Sequence, residues 1–421
     1  MQGPWTAVRE SSDTELAVEG VSLSAIAHRF GTPCFVYSRA ALEAAYRDFD
    51  AAFEGIPHRI CYAMKANSNL GVLNVFARLG SGFDIVSGGE LSRVIAAGGD
   101  PRKVVFSGVG KTDAEMAKAL ELSIHCFNVE SASELDRLDA VAGRLRVRAP
   151  VSFRVNPDVD SRTHPYISTG LRDNKFGVAF EEAHELYRRA AAMRNVAIRG
   201  IDMHIGSQIT ELGPHLEAAE KAFALSDRLA AEGIQLEHID LGGGIGIRYR
   251  DEETIHPYEY ALAIGRLRGN RSLEVLLEPG RFLVGNAGIL LTRVLHLKPG
   301  AEKNFAIVDA AMNDLLRPAL YEAWHDVRAV RPRQGKGTMA VWQIVGPVCE
   351  SADFLAHDRE LSLAGDDLLA IGSAGAYAMA MSSNYNSRPR AAEVIVDGDT
   401  AHLVRSRERI DDLFASESLL P

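Results

Sequence analysis

The sequence predicts an α/β chain: a (β/α)8 TIM-type barrel followed by a smaller, mostly antiparallel β domain. Three observations carry this. Between residues 58 and 285, eight apolar strand-like runs alternate with amphipathic helical segments, close to the usual ~250-residue extent of such a barrel. From residue 286 the alternation gives way to short β runs punctuated by turn pairs such as Pro299-Gly300 and Asp397-Gly398. Polar and glycine-rich positions also recur just after the strand-like runs, at the barrel end that holds active sites. A doubly wound sheet shares the same alternation, since periodicity does not report closure.

The strand candidates are Arg59–Met64, Gly82–Val86, Lys103–Ser107, Ile124–Val129, Val151–Val155, Arg199–Ile205, His238–Leu241 and Glu274–Leu277. Helix signals lie between them. Gly89-Glu90-Leu91 opens one helix and Gly98-Gly99 can close it. Ser131-Ala-Ser-Glu134 reads as a capping box. Glu181–Met193 and Leu216–Ala231 have helical apolar spacing, the second stopped by Gly233. The later β runs are Ala287–Leu297, Asn304–Val308, Thr338–Val345, Asp367–Ile371 and Glu393–Val396. Thr32–Tyr37 is a further β run ahead of the barrel. The expected division is a barrel over residues 39–285 and a β domain over 286–421, joined by residues 1–38.

Composition excludes several classes. The chain has 421 residues, 47% hydrophobic and 24% charged, with a net charge of −10. No basic run suggests a nucleic-acid or anionic-membrane surface. The longest uncharged stretch, Leu368 to Ser387, is broken by Gly372 and Gly375 and ends polar, so it does not read as a membrane span. Met1-Gln-Gly-Pro-Trp-Thr6 lacks the pattern of a signal peptide. Four cysteines, Cys34, Cys61, Cys126 and Cys349, show neither metal nor disulfide spacing. A cytoplasmic, reducing setting is the simplest expectation.

The rim positions carry the chemistry. Lys65 follows the first strand in Cys61-Tyr-Ala-Met-Lys-Ala-Asn67, and a lysine amine held there, partly desolvated, can attack an aldehyde. Most lysines after a strand are solvated ends; the company at the same rim argues otherwise here. Asp84 ends the second strand, with Ser87 behind it, and Arg154 and Asn156 end the fifth. His204 and Gly206-Ser-Gln208 end the sixth. Gly242-Gly243-Gly244 follows the seventh and Glu278-Pro-Gly280-Arg281 the eighth. Consecutive glycines let several backbone N–H groups face an anion, and the loops after strands seven and eight are the usual phosphate grip of these barrels. The run lacks the spacing of a dinucleotide fingerprint. Lysine, phosphate grip and carboxylate together suggest pyridoxal 5'-phosphate, with an acid on the ring nitrogen strengthening its pull on electrons. Glu278 is placed for that nitrogen, and Arg281 is the rival. His204 suits stacking on the ring, although strand histidines are more often simply packed.

The second domain has its own polar set. Arg317 and Tyr321 stand one turn apart if their segment is helical. Cys349 sits beside Glu350 after a Gly-Pro turn, where a thiol can give a proton to a carbanion. Tyr377 follows Gly372-Ser-Ala-Gly375. Taken singly, these read as a surface charge, a packed thiol and a core ring.

In this order the strings resemble the fold-type III pyridoxal-phosphate-dependent decarboxylases, and within them the diaminopimelate decarboxylase family, from about Thr32 to Asn386. The most specific are Tyr62-Ala-Met-Lys-Ala-Asn67, Thr163-His-Pro-Tyr-Ile-Ser-Thr-Gly170 with Lys175-Phe-Gly177, and His204-Ile-Gly-Ser-Gln208. To these add Asp240-Leu-Gly-Gly-Gly244, Glu278-Pro-Gly-Arg281, Met312–Tyr321 and Cys349-Glu-Ser-Ala-Asp353. The resemblance implies Lys65 as Schiff-base lysine, His204 stacked on the ring and Glu278 on its nitrogen. It implies that Asp84, Ser207, Gly243, Gly244, Gly280, Arg281 and Tyr377 contact the cofactor. Arg281, Arg317, Tyr321, Glu350 and Tyr377 would read the substrate, and Cys349 would donate the proton. The family places its sites at a homodimer interface, with Cys349 and Glu350 supplied across it. The implied reaction is decarboxylation of meso-2,6-diaminopimelate to L-lysine, the last step of lysine biosynthesis. Two arginines suit a substrate with a second carboxylate. In ornithine or lysine decarboxylases of this fold the cysteine motif typically continues Asp-Gly, not Glu350-Ser351. An alanine-racemase-like enzyme would usually set an arginine against the ring nitrogen and has no place for the Cys349 motif. A non-catalytic homologue would be expected to have lost Lys65 or Cys349. Ala311 stands where relatives often have glycine.

Overall fold

The computed structural model describes residues 5–10, 13–160, 169–170, 175–333 and 339–421. Most of Thr163–Gly170, one of the family-like strings, lies outside them. The chain divides into two compact units: residues 45–247 with 253–282, and residues 1–44 with 248–252 and 283–421.

The first unit is a closed parallel barrel. Its eight strands are His58–Ala63, Gly82–Ile85, Val104–Phe106, Cys126–Val129, Ala149–Asn156, Val196–Asp202, His238–Asp240 and Glu274–Leu277, each pairing with the next, and Leu277 pairing with Ile60 closes the ring. These strands are buried on both faces, so they read as near-continuous apolar runs rather than alternating ones. Five strands end earlier than expected, and the first and sixth strands of the barrel matter most for the mouth. Ala63 is followed by a 3-10 turn, Met64–Ala66, and the sixth strand stops at Asp202, leaving His204 beyond it. A two-residue strand, Val178–Ala179, adds to the fifth strand from outside the ring.

The helices follow their cues. Ser87 caps Gly88–Ala96, which Gly98 closes at φ +82°. Ser131 caps Ala132–Leu145 by accepting from the Glu134 N–H. The expected reciprocal half of that box is rerouted: Glu134 Oε2 takes the Glu130 N–H and Oε1 takes the buried Lys111 ammonium at 2.8 Å. A complete capping box occurs instead at Thr112 and Glu115.

In the second unit, one sheet runs in the order Phe354–Leu361, Ala340–Val345, Asn304–Val308, Gly288–Lys298, Cys34–Ser38, Ala392–Asp397, Thr400–Arg405; Leu368–Ile371 and Val327–Ala329 pair off it. All pairings are antiparallel except two. Cys34–Ser38 does join this unit, between Gly288–Lys298 and Ala392–Asp397. A small antiparallel sheet, Trp5–Glu10, Asp13–Val18 and Val21–Ser22, precedes it.

Candidate active site

Because the barrel strands are parallel, their C-terminal ends open at one mouth. Met64 and Ala66 of the 3-10 turn are buried, so the turn presents Lys65 between them. Tyr62 donates from its hydroxyl to the Asn67 carbonyl at 2.9 Å and pins the turn. Lys65 Nζ lies 3.0 Å from Asp84 Oδ2; the acid's side chain is fully buried while the lysine is 37% exposed. The amine is therefore held by a buried acid on a side chain that stays partly exposed.

The glycine run is no slack turn. A side chain at Gly242 would meet the Met203 carbonyl at 2.3 Å, at Gly243 the Glu278 carbonyl at 2.1 Å, and at Gly244 the Gly206 carbonyl at 2.5 Å. Gly242 and Gly244 also take φ +66° and +99°. Only glycine lets three backbone segments approach so closely. The Gly243 N–H donates to His204 Nδ1 at 3.2 Å. That nitrogen must keep a lone pair, so the ring is neutral. Burial pushes the His204 pKa well below its ordinary value, with Lys65 and Arg154 adding to it. Arg281, 6% exposed, donates from Nη2 to Ser207 Oγ at 3.0 Å, tying the turn after strand eight to the loop after strand six.

Under this mouth lie three buried acids. Ligand oxygens of Asp202, Asp240 and Glu278 fall within 4.8 Å of one another. Glu278 Oε1 and Asp240 Oδ2 have no hydrogen-bond partner among the described residues. Burial first, and then mutual repulsion, holds Glu278 and Asp202 well above the carboxylate range; burial pushes Asp240 up to about 7. Like charges so close cannot all ionise, so the cluster holds protons near neutrality. An acid whose folded pKa is raised binds a proton that the unfolded chain releases, so its contribution falls as pH rises from about 4 to about 7. Asp240→Asn is therefore expected to gain stability over the parent at about pH 8 relative to about pH 5, by on the order of 1 kcal/mol. Urea unfolding of the cofactor-free protein at both pH values checks this, and an identical difference at both would refute it.

The second unit holds its own cluster. Arg317–Tyr321 is one helical turn, so the two residues share a side. Arg317 is buried, with its Cζ 4.4 Å from the Tyr249 ring centroid. Asp353 joins two motifs, accepting from the Met312 N–H with Oδ1 and from the Val348 N–H with Oδ2. Gly346 makes room for Ala311: a side chain there would lie 2.6 Å from its Cβ. Cys349 and Glu350 are exposed, and the Cys349 N–H donates to Asn386 Oδ1 at 2.8 Å. Tyr377 takes φ +54°, an outlier for a bulky residue, on the turn after Leu368–Ile371.

Lys65, Asp84, His204, Ser207, Gly243, Gly244, Glu278, Gly280 and Arg281 thus stand at one barrel mouth. Arg317, Tyr321, Cys349, Glu350 and Tyr377 all belong to the second unit. Sequence reasoning assigned no role to Asp202 and Asp240, whose signal was an acid at the end of an otherwise apolar strand. It also missed Glu130, which accepts from the Gly108 and Gly177 N–H groups at 2.8 and 3.0 Å and meets Arg154 at 3.5 Å.

Residues 39–285 match the family model described as the pyridoxal binding domain of the pyridoxal-dependent decarboxylases. The chain is 61% identical over 409 residues to a diaminopimelate decarboxylase of Pseudomonas aeruginosa, covering 97% of this chain and 98% of that one. It is 59% identical over 410 residues to a diaminopimelate decarboxylase of Vibrio cholerae, covering 97% and 98%. The crystal structure of diaminopimelate decarboxylase from Helicobacter pylori complexed with L-lysine superposes with a TM-score of 0.91 at 42% identity, covering 94% of this chain and 98% of that one.

Proposed function

The chain belongs to the diaminopimelate decarboxylase family of the pyridoxal-dependent decarboxylases, and from that membership we infer that it is a carboxy-lyase releasing CO2 from meso-2,6-diaminopimelate to give L-lysine, the closing step of lysine biosynthesis. The observation that carries this reading in the fold is the barrel mouth, where an anchored lysine amine, close-packed glycine backbone and a buried acid with an unpartnered oxygen face the same way.

That mouth fits pyridoxal phosphate. Bound there, the group supplies an aldehyde for amines and a ring that draws electrons from the bond to the departing carboxylate. Lys65 is the residue to hold it covalently. The backbone of Gly243, Gly244 and Gly280, with Ser207, would take the phosphate, and Glu278 would take the ring nitrogen. Burial keeps Glu278 and Asp240 able to share protons, which suits an acid that must hold a proton at a ring nitrogen. The neutral His204 ring offers a flat face without adding charge. Asp84 orients the Lys65 amine.

Arg317, with Arg281, Tyr321 and Glu350, reads the distal amino-acid end of the substrate, and Tyr377 serves both substrate and cofactor. Cys349 of the partner subunit is the proton donor to the carbon that loses CO2, in a homodimer whose two sites are shared; the exposure of Cys349 and Glu350 supports that role. None of the described helices is long and apolar enough to cross a membrane, and the reading places the enzyme in the cytoplasm.

The purified protein with pyridoxal phosphate is expected to release CO2 from meso-diaminopimelate with kcat/KM ~10³-fold or more above L-ornithine, L-lysine or L-arginine, since a site built to pair a distal carboxylate is left unpaired by amines. Equal or greater turnover of ornithine would sink the substrate assignment.

A further inference from the structure

We propose that His325, which lies outside the motifs that pointed to function, is a positioning residue for the Arg317 guanidinium and so for recognition of the substrate's distal carboxylate. The inference rests on Arg317 reading that carboxylate.

His325 is fully buried. Its Nε2 lies 2.9 Å from Arg317 Nη1 and its Nδ1 lies 2.8 Å from the Gly372 carbonyl oxygen. A guanidinium only donates and a carbonyl only accepts, so the ring must accept at Nε2 and donate at Nδ1. One protonation state satisfies both contacts: the neutral imidazole with its proton on Nδ1. A second proton would point an N–H at the guanidinium.

The surroundings fix the ring. Tyr249 packs edge-on against it, centroids 5.4 Å apart, and offers its face to Arg317. Arg359 Nη2 donates to the His325 carbonyl at 2.9 Å. The Gly372 N–H returns to the Asp326 carbonyl at 2.8 Å, so the His325 segment and the turn leading to Tyr377 are joined twice. One imidazole therefore links the carboxylate reader to the turn that presents Tyr377.

A histidine here does what a carboxylate could not. Asp or Glu would orient the guanidinium equally well, but its charge would compete with the incoming substrate carboxylate. A neutral acceptor holds the planar fork in place without setting a negative charge beside it. Arginine loses much rotamer freedom when fixed, and ordering it before binding removes that cost from the binding step.

The test uses holoenzyme carrying His325→Phe, His325→Gln or Arg317→Met. It measures kcat and KM for meso-diaminopimelate and the inhibition constants of L-lysine and 1,5-diaminopentane. Both inhibitors share the diamine chain, but only lysine keeps the distal carboxylate. His325→Phe is expected to raise KM and the lysine constant ~10-fold or more, with kcat and the 1,5-diaminopentane constant within ~3-fold of the parent. His325→Gln is expected to recover part of the loss, because its amide oxygen can accept from the guanidinium; it also serves as the probe if the Phe variant fails to fold. Equal weakening of both inhibitors, or a change in kcat alone, would make His325 a packing residue and overturn the proposal. Normal constants in the His325 variants beside a defective Arg317→Met overturn the proposal alone. An unaffected Arg317→Met overturns the reading of Arg317 and this inference with it.

Discussion

Lys65→Ala is expected to lose decarboxylation by ~10³-fold or more in kcat, because the covalent step is assigned to its amine. Asp84 supports the specificity of this expectation. Its side chain is fully buried, and its Oδ2 meets the lysine at 3.0 Å, so it aims one amine at one place. The variant should also lack the visible absorbance that pyridoxal phosphate gains when linked to a protein lysine. Turnover and absorbance recorded on the same preparation check both. Full activity with unchanged absorbance would rule the mechanism out.

The second large effect is expected at Cys349. Cys349→Ala should lower kcat by ~10²–10³-fold with KM within ~3-fold, the pattern of a lost proton donor that does not carry substrate binding. The thiol is exposed on the chain that carries it, which the proposed donation across a dimer requires. Mixing the Lys65→Ala and Cys349→Ala proteins after reversible dissociation is the decisive measurement. In a two-fold dimer with shared sites, each hybrid has one intact site, and random exchange restores about a quarter of parental activity. No recovery on mixing would place both residues in a site built by one chain.

The barrel was legible because its eight strands are largely apolar and buried, and its helices carry caps and glycine stops. What escaped notice was β structure with one wet face. Phe354–Leu361 includes His357, Asp358, Arg359 and Glu360, and Thr400–Arg405 sets buried Ala401 beside exposed His402 and Leu403. Neither is among the β runs that the sequence suggests. Lys65, Glu278 and the glycines could be read because each breaks an apolar run at a strand end. Asp202 does the same, but its meaning lies in being close to Asp240 and Glu278, which no local pattern reports. His325 is harder still. Its partners are Arg317 in one direction and Gly372 in the other, so only the fold explains it. The glycines corrected the reading in the other direction: a run that looks flexible is wedged between neighbouring carbonyls.

The placing of Cys34–Ser38 has a consequence for how the chain assembles. Each barrel strand pairs with the next strand in the sequence, and the last of them ends at Leu277. Cys34–Ser38 is made before any of these, yet its two neighbours are Gly288–Lys298 and Ala392–Asp397. As a polypeptide emerges N-terminus first, every strand of the ring is available while this segment still lacks both edges it will bridge. The sheet that presents Arg317, Cys349 and Tyr377 is therefore finished from its oldest and its newest residues together, and a ribosome that stops short of residue 392 leaves this inner strand bare on one side.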